Sequence, residues 1–124
     1  MLLVVACFPM ATRIAPILPV TDLTVALEHY RRLGFSVRPY HKGGYGFATL
    51  GQVEIHLGVV TPSNASTPAS AYLFVDDSDE LAQAWSASGA DVRFPVDTEW
   101  GMHEGVVIDP DGNVIRFGSP IAAE

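Results

Sequence analysis

A chain of 124 residues holds one domain with room for a core, and 48% hydrophobic against 17% charged residues is a folded globular composition. The formal net charge of −7 and a pI of about 4.8 argue against nucleic acid as a partner, because phosphate binding needs a basic patch. The same charge suits a cationic ligand drawn by the protein's field, and equally suits solubility alone. Cys7 is the only cysteine, so no intrachain disulfide can form, nothing points to secretion, and the cytoplasm is the expected compartment.

In chain order, Met1 to Phe8 is apolar but lacks a basic n-region and is too short for a membrane span, so no membrane partner is expected. Residues 1–12 read as an N-terminal extension: an extra edge strand, an interface segment, or the trace of a start at Met10. The patterned chain begins at Arg13 and repeats itself. Val20-Thr21-Asp22 and Val75-Asp76-Asp77 each end a strand-like run and open a helical stretch. Tyr30, Gly34 and Val37-Arg38 follow the first; Trp85, Gly89 and Val92-Arg93 follow the second at the same offsets, a displacement of 55 residues.

Leu23, Ala26, Leu27 and Tyr30 form the core face of the first helix, and Ser78, Leu81, Ala82 and Trp85 that of the second. Asp22 and Asp77 suit N-cap or first-turn positions, and Gly34 and Gly89 suit the left-handed position after a C-cap. Strand-like runs follow at 35–40, 44–50 and 52–60, then at 91–97, 102–109 and 112–118, with a Ser/Thr/Pro-rich linker between the halves. The prediction is an α+β fold of two βαβββ modules, residues 13–60 and 70–119, joined by a linker at 61–69 and followed by a tail at 120–124. Their mixed sheet is expected to curl and leave a cleft.

Strand alternation assigns the faces. Val53, Ile55, Leu57 and Val59 pack on the helix, leaving Gln52, Glu54, His56 and Gly58 toward the cleft. Ala71, Leu73 and Val75 face the helix, and Ser70, Tyr72 and Phe74 the cleft. Ile115 and Phe117 turn inward, which sends Arg116 to the cleft, and Ala15 and Ile17 are assigned there as well.

Pro16-x-x-Pro19-Val20-Thr21-Asp22-Leu23, with Tyr30 and Leu33-Gly34-Phe35, resembles the strand-into-helix signature of the vicinal-oxygen-chelate superfamily. Asp109-Pro110-Asp111-Gly112-Asn113 is similar to that superfamily's hairpin into the last strand, though by itself it is also an ordinary turn. Together with the repeat and Trp100-Gly101-Met102, the resemblance spans about residues 13–119. It implies a divalent metal held by His and Glu in the enzymes of the superfamily, and the matching positions are Ala15, His56, Ser70 and Arg116. Arginine cannot ligate, and an open catalytic metal site usually keeps three protein ligands. The pattern therefore resembles the bleomycin-resistance branch, whose members sequester a bulky antibiotic. That branch implies a non-catalytic small-molecule binder without metal or other cofactor, and a homodimer that exchanges its N-terminal strand near a proline matched by Pro16. The stretch 99–104 resembles the loop and strand that wall the branch's groove.

The residues expected to touch a ligand are Phe47, Glu54, His56, Tyr72, Phe74, Glu99, Trp100, His103 and Arg116. Trp100 lies outside any apolar run and could stack on a planar ligand or cap the core. Asp97, Glu99 and His103 could meet a cation or be solvated loop charge. Phe47, Tyr72 and Phe74 could line an aromatic groove or pack. His56 beside Arg116 could orient an anionic group, or the two could be structural with Glu54 satisfying Arg116. His29 and His41 are expected at the surface, and Trp85 and Tyr30 in the core. The competing function is a metal-dependent glyoxalase- or dioxygenase-type enzyme with a relocated site at Glu54, His56 and His103; a third is a scaffold dimer without a ligand. No Gly-x-Ser-x-Gly elbow or G-x-G-x-x-G cradle occurs, and Gly43-Gly44-Tyr45-Gly46 reads as a hairpin turn.

Overall fold

Asp22 and Asp77 start the two helices in the same way. Each holds an extended backbone while its carboxylate accepts a backbone N–H three residues on, Val25 N at 3.1 Å and Glu80 N at 3.0 Å. The helices that follow, α1 (Leu23–Arg32) and α2 (Ser78–Ala87), end before Gly34 (φ 99°) and Gly89 (φ 93°). That left-handed conformation reverses the chain and penalises any residue with a Cβ.

The computed structural model describes residues 7–61 and 67–121. The centre of the linker, most of the apolar start and the last residues of the tail lie outside that range. Around each helix the chain builds one sheet: β1 (Ile17–Val20), β2 (Ser36–Pro39), β3 (Tyr45–Leu50) and β4 (Val53–Val59) in the first module. The second has β5 (Ser70–Phe74), β6 (Asp91–Asp97), β7 (Met102–Ile108) and β8 (Val114–Pro120). The orders are β1-β4-β3-β2 and β5-β8-β7-β6. In each, the first strand runs parallel to the last and the remaining pairs are antiparallel. The expected α+β architecture of two βαβββ modules is present, as two separate four-stranded mixed sheets.

One apolar face of each sheet packs on its helix. Leu18, Val20, Ile55 and Leu57 meet Ala26 and Tyr30, while Val107, Ile115 and Phe117 meet Ala82 and Trp85, in one continuous core. Polar contacts join the modules across it. Trp85 Nε1 donates to the Leu33 carbonyl at 2.8 Å, Tyr30 donates its hydroxyl to Asp109 at 2.8 Å, and Asn113 Nδ2 donates to the Pro19 carbonyl at 2.8 Å. The helices and the DPDGN turn therefore fill the space between modules, and no described helix packs on the opposite face of either sheet. No described helix is long and apolar enough to cross a membrane.

His29 departs from expectation. It is half-buried with its ring edge-on to Tyr30 at 4.7 Å, and burial, outweighing Asp109, lowers its pKa.

Candidate functional site

On the first module's open face, antiparallel register sets His56 opposite Phe47 and Glu54 opposite Thr49, while the parallel neighbour sets Ile17 beside His56. His56 Nδ1 lies 2.7 Å from the Tyr45 hydroxyl. Its Nε2 is 3.4 Å from Glu54 Oε1, an ion-pair distance without hydrogen-bond geometry, so that nitrogen is buried and unpartnered among the described residues. Glu54 also takes Arg13 at 3.2 Å. The Arg38 guanidinium sits 4.1 Å above the Phe47 ring, a cation–π contact on an accessible aromatic. Burial, helped by the charge of Glu54, raises the pKa of Tyr45.

The second module's open face follows the same register. Tyr72 lies beside Arg116, Phe74 beside Gly118, and Glu104 opposite Gly118. The Tyr72 ring covers the bare backbone of Gly118, where a Cβ would collide with the phenol oxygen. Tyr72 and Phe74 rings are 4.9 Å apart, and Phe74 is 77% exposed. Trp100, 67% exposed at the turn before β7, donates Nε1 to Glu104 at 3.2 Å, and Arg116 Nη1 approaches the same carboxylate at 3.8 Å. Burial, and after it the neighbouring Glu104 carboxylate, raise the pKa of the Tyr72 hydroxyl. It still lacks hydrogen-bond geometry to any described residue.

The candidate residues thus fall into two groups, Phe47, Glu54 and His56 on one module and Tyr72, Phe74, Trp100 and Arg116 on the other. His56 and Arg116 do not pair: His56 meets Tyr45 and Glu54, and Arg116 meets Glu104 rather than Glu54. Within one chain the modules meet at a cavity of about 310 Å³ that Glu54, Tyr72 and Phe74 line with Ile14, Ile55 and Ile115. A larger hollow of about 620 Å³ beside α1, lined by Thr24, His29, Arg32, Asp91 and Asp109, contains none of the candidates.

Two candidates stand elsewhere. Glu99 is exposed in the turn before β7. His103 faces the helix side of β7, in alternation with buried Gly105 and Val107, and its ring nitrogens meet Asp97 at 2.8 Å and Asp79 at 2.9 Å. Hydrogen bonds from Asp79 and Asp97 raise its pKa. The open-face position on that strand belongs to Glu104, which the sequence marked only as part of the 99–104 stretch. The signal was the DPDGN hairpin, whose register pairs Val106 with Arg116 and Glu104 with Gly118 and so places Glu104 on the face of Arg116.

The divalent metal of the superfamily's enzymes does not fit these residues. Arg116 brings a fixed cation to one of the four positions, Ala15 has no donor, and His56 already shares its ring with Tyr45 and Glu54. Among the described residues no three His, Cys, Asp or Glu side chains are grouped to hold a metal, and Glu54 and His56 do not converge with His103.

The fold and these faces define a class, paired βαβββ modules that each present an open, mixed polar and aromatic sheet face. The sequence pattern of the Glyoxalase/Bleomycin resistance protein/Dioxygenase superfamily matches residues 11–117, and the chain belongs to that superfamily. Among curated proteins none matches it in sequence. A bleomycin-binding protein solved in complex with bleomycin superposes with a TM-score of 0.73 at 22% identity, covering 88% of this chain and 98% of that one. A bleomycin resistance determinant encoded on the transposon Tn5 gives 0.75 at 21% identity, covering 89% and 98%. TnmS3, an antibiotic-binding protein from Streptomyces sp. CB03234, gives 0.68 at 26% identity, covering 90% and 99%.

Proposed function

We propose that this chain is a non-catalytic small-molecule binding protein of the bleomycin-resistance kind, acting in the cytoplasm. It sequesters a bulky, cationic antibiotic or related ligand in a groove built by two copies. The observation that carries this reading is the pair of open sheet faces, each with aromatic rings beside partly shielded polar groups and neither covered by another described element. Exposed Phe74 and Trp100 on one face, and Phe47 with Tyr45 on the other, offer the stacking surface that a large planar ligand needs. Similarity to a bleomycin-binding protein and to TnmS3 supports the ligand class.

The dimer has its own support. Residues 7–16 form no strand, yet Phe8, Met10 and Ile14 on that segment are 80%, 86% and 90% exposed. A segment so apolar and so uncovered suits exchange with a partner copy, pivoting at Pro16, which would bring one chain's first module against the other's second.

Bleomycin titration followed by tryptophan fluorescence tests the reading. Trp85 is buried at 2% exposure, so the response should come from Trp100 and vanish in W100F. No saturable change at millimolar bleomycin would contradict the antibiotic assignment.

A further inference from the structure

We propose that Glu104 is the seat of a cationic group on the ligand, and that Arg116 is the resident counter-ion displaced when that group arrives. The assignment deepens the groove reading above and rests on it. The Glu104 side chain is 8% exposed, whereas its partner Arg116 is 53% exposed and approaches no nearer than 3.8 Å. A carboxylate offers about four lone-pair sites. Among the described residues this one receives the Trp100 N–H at 3.2 Å and the long Arg116 pair, with the Tyr72 hydroxyl nearby but outside hydrogen-bond geometry. A shielded charge so thinly engaged is unfavourable, and it gains most from a strong donor.

The neighbouring Tyr72 hydroxyl is buried, influenced by the same carboxylate, and makes no hydrogen bond of good geometry to a described residue. Two under-used polar groups therefore lie side by side beneath an exposed indole. An ammonium or guanidinium answers all three features at once. Its N–H groups donate to Glu104 and to the Tyr72 oxygen, its charge replaces that of Arg116, and its flank lies against the Trp100 ring. An anion would meet the Glu104 charge, and a neutral apolar group would strip the carboxylate of water and return nothing. Arg116, half in solvent already, can swing outward without crossing the core.

The experiment compares two aromatic dyes, cationic proflavine and anionic 1-anilinonaphthalene-8-sulfonate, on the full chain, on E104Q and on R116Q. E104Q should weaken proflavine by about tenfold or more while leaving the sulfonate dye unchanged or tighter. R116Q should do the reverse, tightening proflavine by roughly threefold and weakening the sulfonate. Circular dichroism checks that E104Q folds; if it does not, R116Q carries the test, because its side chain is half exposed. Unchanged proflavine affinity in folded E104Q, or weaker proflavine binding in R116Q, overturns the assignment. If wild type binds both dyes and E104Q binds them identically, the groove stands and Glu104 is not its cation seat. If wild type binds neither dye, both readings fall.

Discussion

Asp109 and Asn113 do more for this fold than their place in a turn suggests. Asp109 Oδ1 accepts the backbone N–H of Asp111 at 2.9 Å and of Asn113 at 2.8 Å, while Oδ2 takes Tyr30 and the Asn113 amide. Asn113, fully buried, also accepts the Ala69 N–H at 2.8 Å and donates to Pro19. One turn thus ties the last hairpin to β1 and α1 of the other module and to the entry of β5. Asn113→Ala strands several of these groups without water and should destabilise the protein by about 2–4 kcal/mol, read from urea midpoints. A loss indistinguishable from zero would mean the turn does not couple the modules. His103 gives a pH-dependent counterpart. Its pKa is raised above the ordinary 6.5 by Asp79 and Asp97, so its contribution is full below that value and is lost as pH climbs through the raised pKa. The melting-temperature advantage of wild type over H103Q should therefore be largest in mild acid and shrink on going alkaline. An advantage that grows with pH would contradict the ion-pair role.

At the scale of elements, the helices were legible and one strand face was not. Asp22 and Asp77, the apolar spacing behind them, and Gly34 and Gly89 each signal locally, so both helices and their caps follow from short windows of sequence. The faces of β4, β5 and β8 were equally plain, because Ile55-Leu57, Ala71-Leu73 and Ile115-Phe117 alternate with polar or exposed neighbours. β7 carries no such pattern at its start: Met102, His103, Glu104 and Gly105 give no apolar parity, and a bulge between Arg93 and Val96 shifts the strand beside it. His103 was therefore expected to touch the ligand, but the register puts Glu104, not His103, on the open face with Arg116. The separation of His56 from Arg116 was also hidden, since which module faces which depends on tertiary packing through Tyr30, Trp85 and Asn113. No short window encodes that.

At the scale of the whole molecule, the exposed N-terminal segment and the open sheet faces are two parts of one expectation. If the segment serves exchange between copies, the full chain should sediment as a dimer, and a chain lacking residues 1–12 should shift toward monomer and bind ligand more weakly. A truncated chain that dimerises as before would separate the segment from assembly. The net charge of −7 should speed capture of a cation, an effect that fades with added salt as the field is screened. The most direct measurement of the central claim is equilibrium dialysis of bleomycin against chelator-treated protein, with the recovered ligand weighed by mass spectrometry. Sequestration predicts saturable binding and a ligand returned with its mass unchanged. No saturable uptake, or a ligand altered in mass only when a divalent metal is restored, would contradict it.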